Sequence, residues 1–488
     1  MTPARNPAAG PLRLALVVVS VLCATTTVAQ TSPDALVTPP AATVNELHAE
    51  FKRRLDTGEN AAAAEQAQAL VRMLEARPAT GSTEALQVAL MNLGLAQQRA
   101  GDYVGAESSY QRVVELIEAS GRPANPRLAR AYAGLAGAYH AAKRYDLAEP
   151  AVERAIALNR RSEGLFNAEQ LPLLEQQADS LTELGRAEEA LQAHRYALRV
   201  VERRYGTGSL EYADALESVG RWYTRVGAYE ASRVTLRRAI EVTTARSGED
   251  SLDLVGPLTA LARNARRWML DPRAREAAAE SEGASMFHDR VMPTPPQLSM
   301  STVSIEGLRA LERAAEIVDG RPDPSPALAA QVHTQLGDWH QLLGSKEQAL
   351  SSYRQAWLAA SRAPSEAGEP PLTTTLFGQP TLVYYDAPAG WNRYAGRPAD
   401  EVELRNAGVE LTVSAAGTVT TARIVEPTGI ERLDENAVRA AESARYRPRF
   451  VDGAPAEAVG VRFVQPFYVL REKDEEAPAA AAPSQERG

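Results

Sequence analysis

Small residues recur along this chain with a period of 42. Gly94, Ala136, Ala178, Gly220 and Ala262 fall 42 apart, and Ala106, Ala148, Ala190, Ser232 and Ala274 repeat that spacing twelve residues later. Ala155, Ala197 and Ala239 form a third set, with Val113 in the same slot one period earlier. A fixed period of this size predicts helix pairs stacked as a solenoid. Small side chains let two antiparallel helices approach closely, and a larger one there overpacks the contact by about 1–3 kcal/mol. Leu93, Leu135, Val219 and Leu261 precede the first small residue, while Tyr139 and Tyr223 follow it by three positions on the same helical face. Turns are read at Ala100-Gly101-Asp102, Leu184-Gly185-Arg186 and Val226-Gly227-Ala228. Gly164, Gly206 and Gly248, again 42 apart, are read as the ends of the second helices. Residues 44–80 read as a divergent first copy and 327–361 as the last. Between them, 257–320 is degenerate: Pro257, Pro272 and the prolines of 293–296 interrupt it before a helix resumes near Ile305–Val318.

The pattern changes at about 362. Prolines, glycines and glutamates predict a linker over 362–401. Val409, Leu411 and Val413 then alternate with Glu410 and Thr412, the signature of a half-buried strand. Ala415-Ala416-Gly417 turns the chain, and Val419–Val425 returns as the second arm of a hairpin. Leu433–Tyr446 reads as a helix with an apolar stripe of Ala437, Val438, Ala441 and Ala444, and Val459–Leu470 as a last strand. The fold class expected is mainly α: an α-solenoid over 44–361, then a small α+β (β-β-α-β) domain over 402–471. The acidic and Ala/Pro-rich residues 472–488 read as a disordered tail.

Leu93-Gly94, Tyr103, Ala106 and Tyr110, and again Leu336-Gly337, Gly344, Ala349, Tyr353 and Ala356, resemble the tetratricopeptide repeat (TPR). That repeat is usually about 34 residues long. The longer period is similar to the kinesin-light-chain type. In this family the first helix of each repeat lines a concave groove. By that resemblance, Glu175, Asp179 and Glu183 form an acidic stripe in the groove, followed by Asp214, Glu217, Arg221 and Arg225, and preceded by Arg130. Acids four apart cost a helix a few tenths of a kcal/mol. The stripe is therefore expected either to serve a partner peptide carrying basic residues or to be an ordinary solvated face.

A second resemblance rests on Val409–Val419 with Gly417, Ala422–Gly429, Leu433-Asp434 with Ala437, and Tyr446–Phe450 before Asp452-Gly453. This run is similar to the TonB C-terminal domain, a family that couples inner-membrane energy to outer-membrane transporters by adding a transporter strand to its sheet. The family's long Pro-rich spacer is replaced here by repeat helices. Pro466 lies inside the last strand and has no N–H for a ladder, so that strand is expected at a sheet edge. Val461, Phe463, Gln465 and Phe467 mark this edge as a docking surface for an added strand, or as an edge protected against aggregation.

At the N-terminus, Arg5 and Arg13 precede the apolar run Leu14–Ala24 and a small-residue stretch ending at Ala29. Residues 1–29 are expected to be a secretory signal peptide, placing the protein in the periplasm. The alternative is an uncleaved anchor in the inner membrane. The sole cysteine, Cys23, falls within that segment, so the mature chain would hold no disulfide. The net charge of −9 is spread without a basic stripe, which argues against nucleic acid.

No nucleophile elbow, phosphate loop, zinc-helix motif or C-x-x-C occurs. His333 and His340 share a helix face near Asp338 and are read as ordinary helix residues, with no metal and no cofactor expected. The expectation is a non-enzymatic adaptor that takes no small-molecule substrate and binds protein partners, either a peptide or an envelope or outer-membrane protein. Membrane association would come through its N-terminus. The alternatives are a TonB-type energy-transducer component and a scaffold dimerising through its C-terminal sheet.

Overall fold

A computed structural model describes residues 41–76, 82–121, 125–274, 299–365 and 370–471. The segments expected to be a signal peptide and a tail lie outside these residues, as do the prolines of 293–296. The chain divides into two compact units, 1–219 and 220–488.

The first unit is built of helices α1 (Ala41–Asp56), α2 (Asn60–Glu75), α3 (Ser82–Arg99), α4 (Tyr103–Glu118), α5 (Pro126–Ala141), α6 (Tyr145–Glu163), α7 (Leu171–Glu183), α8 (Ala187–Tyr205) and the start of α9 (Leu210–Arg225). The 42-residue lattice is the packing surface. Ala106, Ala136, Ala148, Ala155, Ala178 and Ala190 are completely buried. Their neighbours explain their size. The Tyr110 ring lies against Gly94 and Gly134, and a Cβ on Gly94 would stand 2.8 Å from it. The predicted turn glycines Gly101, Gly185 and Gly227 have φ of 83°, 74° and 78°. Gly164 and Gly206 do end α6 and α8, and Gly248 ends the helix α10 (Tyr229–Ser247). With φ of 83–89° and ψ of 158–167°, however, they occupy a region that side-chain-bearing residues avoid and not the left-handed helical cap.

The second unit continues with α10 (Tyr229–Ser247), α11 (Val255–Leu270), α12 (Met300–Asp319), α13 (Pro326–Leu343) and α14 (Lys346–Ala360). Pro257 interrupts nothing, because it sits in the first turn of α11, where a missing N–H costs little. Gly220 again admits a neighbour: its carbonyl accepts from Ser232 Oγ at 2.7 Å, and Leu236 fills the space a Cβ would need.

The stretch read as a linker is structured on either side of 366–369. Residues Leu372–Phe377 form a short helix, α15, and Thr381–Tyr384 a strand, β1. The C-terminal module follows as β2 (Val402–Val413), β3 (Val419–Glu426), α16 (Glu431–Glu442), β4 (Arg445–Arg447), β5 (Arg449–Val451), β6 (Ala454–Ala456) and β7 (Ala458–Leu470). Its main sheet has the order β3-β2-β7, all antiparallel. The alternating face of β2 buries Ala407, Val409, Leu411 and Val413 against Phe463 and Phe467 of β7 and Ala437, Ala440 and Ala441 of α16. The helix expected to reach Tyr446 stops at Glu442. Tyr446 donates its N–H to Gly417 O at 2.7 Å, and Pro448 disfavours helix at the residue before it, so 445–447 becomes β4 and pairs with β1.

Candidate protein-interaction site

The acidic stripe falls on α7, where Glu175 and Glu183 are exposed and Asp179 is half-buried. Arg130 is exposed on α5. Asp214 and Glu217 belong to the first unit, and Arg221 and Arg225 to the second. Glu175, Asp179, Asp214, Glu217, Arg221 and Arg225 are each engaged in a polar or electrostatic interaction.

A more highly organised cluster lies inside the second unit, and it was not expected. Asp338, buried on α13, accepts two parallel hydrogen bonds from Arg447 of β4: Nε to Oδ1 at 3.0 Å and Nη2 to Oδ2 at 2.9 Å. Tyr353 OH donates to the same Oδ1 at 3.0 Å, and Arg266 Nη1 stands 3.6 Å from Oδ2. Burial, reinforced by the neighbouring carboxylate, pushes the Tyr353 phenol well above its usual range. Arg447 also donates to Leu376 O at 3.0 Å.

Beside it, Arg445 donates to Leu342 O at 2.7 Å and covers the last carbonyls of α13, where the helix dipole favours a cation. Gln341 Nε2 donates in return to Ala416 O and Gly417 O, at 3.1 and 3.2 Å. The Phe377 and Phe450 rings pack 4.8 Å apart beneath this seam. The α+β module is thus seated on the final helix pair. Among the described residues, no group of three His, Cys, Asp or Glu side chains is placed to hold a metal, and Asp338 is committed to arginines. His333, on the same helix, meets Asp319 at 2.9 Å.

At the sheet's first edge, β7, Phe463, Gln465 and Phe467 are buried and Val461 is half-buried, so their side chains form core. A partner would meet only backbone there, and much of that is taken. Tyr468 N–H donates outward to Trp391 O and Arg471 N–H inward to Glu401 O, both at 3.0 Å. From Arg462 onward, beyond the bulge, the even-numbered residues of β7 therefore turn their polar backbone away from β2. Pro466 is one of these, and its carbonyl accepts from Gln465 Nε2 at 2.8 Å. Gly460, with φ of 76°, sits at a bulge in the β2–β7 register. A proline, a bulge and a covering loop are the usual means of blunting an edge.

The second edge, β3, is different. Ala422 and Ile424 pair with Leu411 and Val409, whose own polar backbone faces β7. The N–H and C=O groups of Ala422 and Ile424 therefore point away from the sheet, and among the described residues none of them is hydrogen bonded. The sequence singled out Pro466 and its strand but carried no signal for this other edge, which follows from strand order alone.

Residues 85–161 and 169–245 match the tetratricopeptide repeat model, and residues 406–465 match the model of the Gram-negative bacterial TonB protein C-terminal. No curated protein matches the chain. Among solved structures it is similar to BtubC (BKLC) from P. vanneervenii, at 19% identity and a TM-score of 0.35 over 51% of this chain and 96% of that one. It is also similar to kinesin-light-chain TPR-like repeats from Podosopora anserina, at 16% identity and a TM-score of 0.39 over 43% and 99% of the two chains. A third likeness is to a Rap protein complexed with Competence and Sporulation Factor, at 13% identity and a TM-score of 0.29 over 66% and 99%. The chain's helical repeats are tetratricopeptide repeats, and the module that follows them is a TonB-type C-terminal domain, two families of interaction and scaffold domains.

Proposed function

We propose that this protein is a periplasmic adaptor that brings two proteins together. The repeat helices hold one partner, and the TonB-type domain takes an extended segment of an envelope protein as an added strand. The observation that carries the second half is the unpaired backbone of Ala422 and Ile424 on β3. Backbone pairing of this kind gives affinity without demanding a particular sequence. This reading moves the docking edge from β7 to β3. The match over 406–465 also supports a TonB-like role in outer-membrane transport. That alternative requires a retained membrane anchor, which the intact mass of the membrane-bound protein would reveal.

Docking is tested by binding of the full chain to an array of peptides from the terminal segments of outer-membrane proteins. Proline at Ile424 removes an outward N–H and is expected to abolish binding, whereas proline at Val464, on β7, leaves it intact. The reverse pattern would return the site to β7, and an array with no binder would remove strand addition altogether.

A further inference from the structure

The loops after α6, α8 and α10 share one frame, set by Gly164, Gly206 and Gly248 with nearly identical φ and ψ. Their next two residues do not match. They are Thr207-Gly208 and Glu249-Asp250 in two of the loops, but Leu165-Phe166 in the first. The fold therefore makes no demand for apolar side chains at these positions. Yet Leu165 is 60% exposed and Phe166 43% exposed.

This loop is also built more firmly than an idle one. Gln170 is completely buried and donates through Nε2 to Leu165 O at 2.6 Å and Asn167 O at 3.1 Å. Tyr196 OH donates to Leu165 O at 2.5 Å, and its ring stacks on Phe166 at a centroid distance of 6.4 Å with the planes 20° apart. Three guanidiniums surround the two rings. Arg160 lies 4.2 Å and Arg199 5.4 Å from the Tyr196 centroid, and Arg203 lies 5.8 Å from that of Phe166. Residues 160–170 and 199–205 hold five arginines against three glutamates, in a chain whose net charge is −9. Arg160 Nε donates to Gln170 Oε1 at 3.1 Å, so its guanidinium is held in place by a neutral partner.

We propose that Leu165 and Phe166, ringed by Arg160, Arg199 and Arg203, are a second docking site, which inserts into an apolar pocket rimmed by carboxylates on an acidic protein partner. Aromatic residues and arginines held in place before binding are what dominates protein-interface energetics. The surrounding positive charge selects an acidic partner and speeds its approach. This site is independent of strand addition at β3 and of the acidic stripe on α7, whose charge is opposite.

The test uses a displayed library of random 12-residue peptides panned against the full chain. Selected peptides are expected to combine Asp or Glu with large apolar residues. Their affinity should fall at least tenfold with Phe166→Ser or Arg203→Glu, hold with Phe166→Tyr, and be untouched by Glu249→Ala in the matched loop. Both disruptive changes are at the surface, and an unchanged circular dichroism spectrum confirms that the variants fold. Peptides without acidic enrichment, or binding indifferent to Phe166 and Arg203, would overturn the proposal. So would a wild-type dimer, seen by sedimentation, that Phe166→Ser dissolves, because the occupant would then be a second copy of this chain.

Discussion

Arg447 and Asp338 meet through two parallel hydrogen bonds of 3.0 and 2.9 Å, across 109 residues of sequence and out of contact with most solvent. Such a fork fixes orientation as well as distance. It determines how the TonB-type domain sits on the last helix pair. Removing one partner strands the other. Asp338→Ala is expected to cost about 3–5 kcal/mol, read as a lowered denaturant midpoint of the full chain. Pairing it with Arg447→Met should cost less than the sum of the two single changes, because no buried charge is then left uncompensated. Strict additivity would show that the pair does not interact in solution.

Burial raises the Tyr446 phenol from 10 to about 12. An unfolded tyrosine loses its proton near pH 10, whereas the folded one keeps it until about pH 12. The folded state is the tighter proton binder, so its advantage is complete below pH 10 and disappears as pH rises through that window. Thermal unfolding followed from pH 8 to 11 should show a decline above roughly pH 10 that Tyr446→Phe makes shallower.

The repeats predict a steric test. The Tyr110 ring occupies the space where a Cβ on Gly134 would lie, and Tyr110 is 2% exposed with no room to retreat. Gly134→Ala should therefore destabilise the first unit by about 1–3 kcal/mol. Tyr110→Leu in the same chain should recover part of that loss. Thermal melts of the single and double variants decide it, and an undisturbed Gly134→Ala would mean that the helices can separate to make room.

The orientation of the sheet edges is open to proline scanning. Ile424 turns its N–H away from the sheet, while Ala407, paired with Gln465, turns its N–H toward β7. Proline at 424 should therefore be nearly neutral for stability, and proline at 407 should cost about 3 kcal/mol or more. Equal losses at both would contradict the register.

The repeats were legible because their signal is redundant. One missing position, such as Gln177 before Ala178, does not hide a spacing held by Gly94, Ala136, Gly220 and Ala262. The β2–β3 hairpin was legible for a similar reason, since apolar and polar residues alternating from Val409 to Val413 match the two-residue period of a strand and not that of a helix. What sequence did not reveal was long-range. Prolines made 362–401 look like a linker, but Leu382 pairs with Tyr446 across 64 residues. The same is true of Asp338. A single carboxylate among Thr334, Gln335 and Gln341 on a helix gives no indication of which distant cation it will meet. Pro466 placed β7 correctly at a sheet edge, but counting alternate residues along that strand picked out the face that is turned into the core.

Gln341 reads the carbonyls of the hairpin turn at Gly417, while Arg445 and Arg447 hold α13 from the neighbouring strand. In mechanical terms, the sheet and the helix pair are joined at three anchor points with no slack between them. Tension on a strand bound to β3 would load the arginine clamps before it could stretch the chain. Whatever pulls on this domain therefore pulls on the last repeats as well.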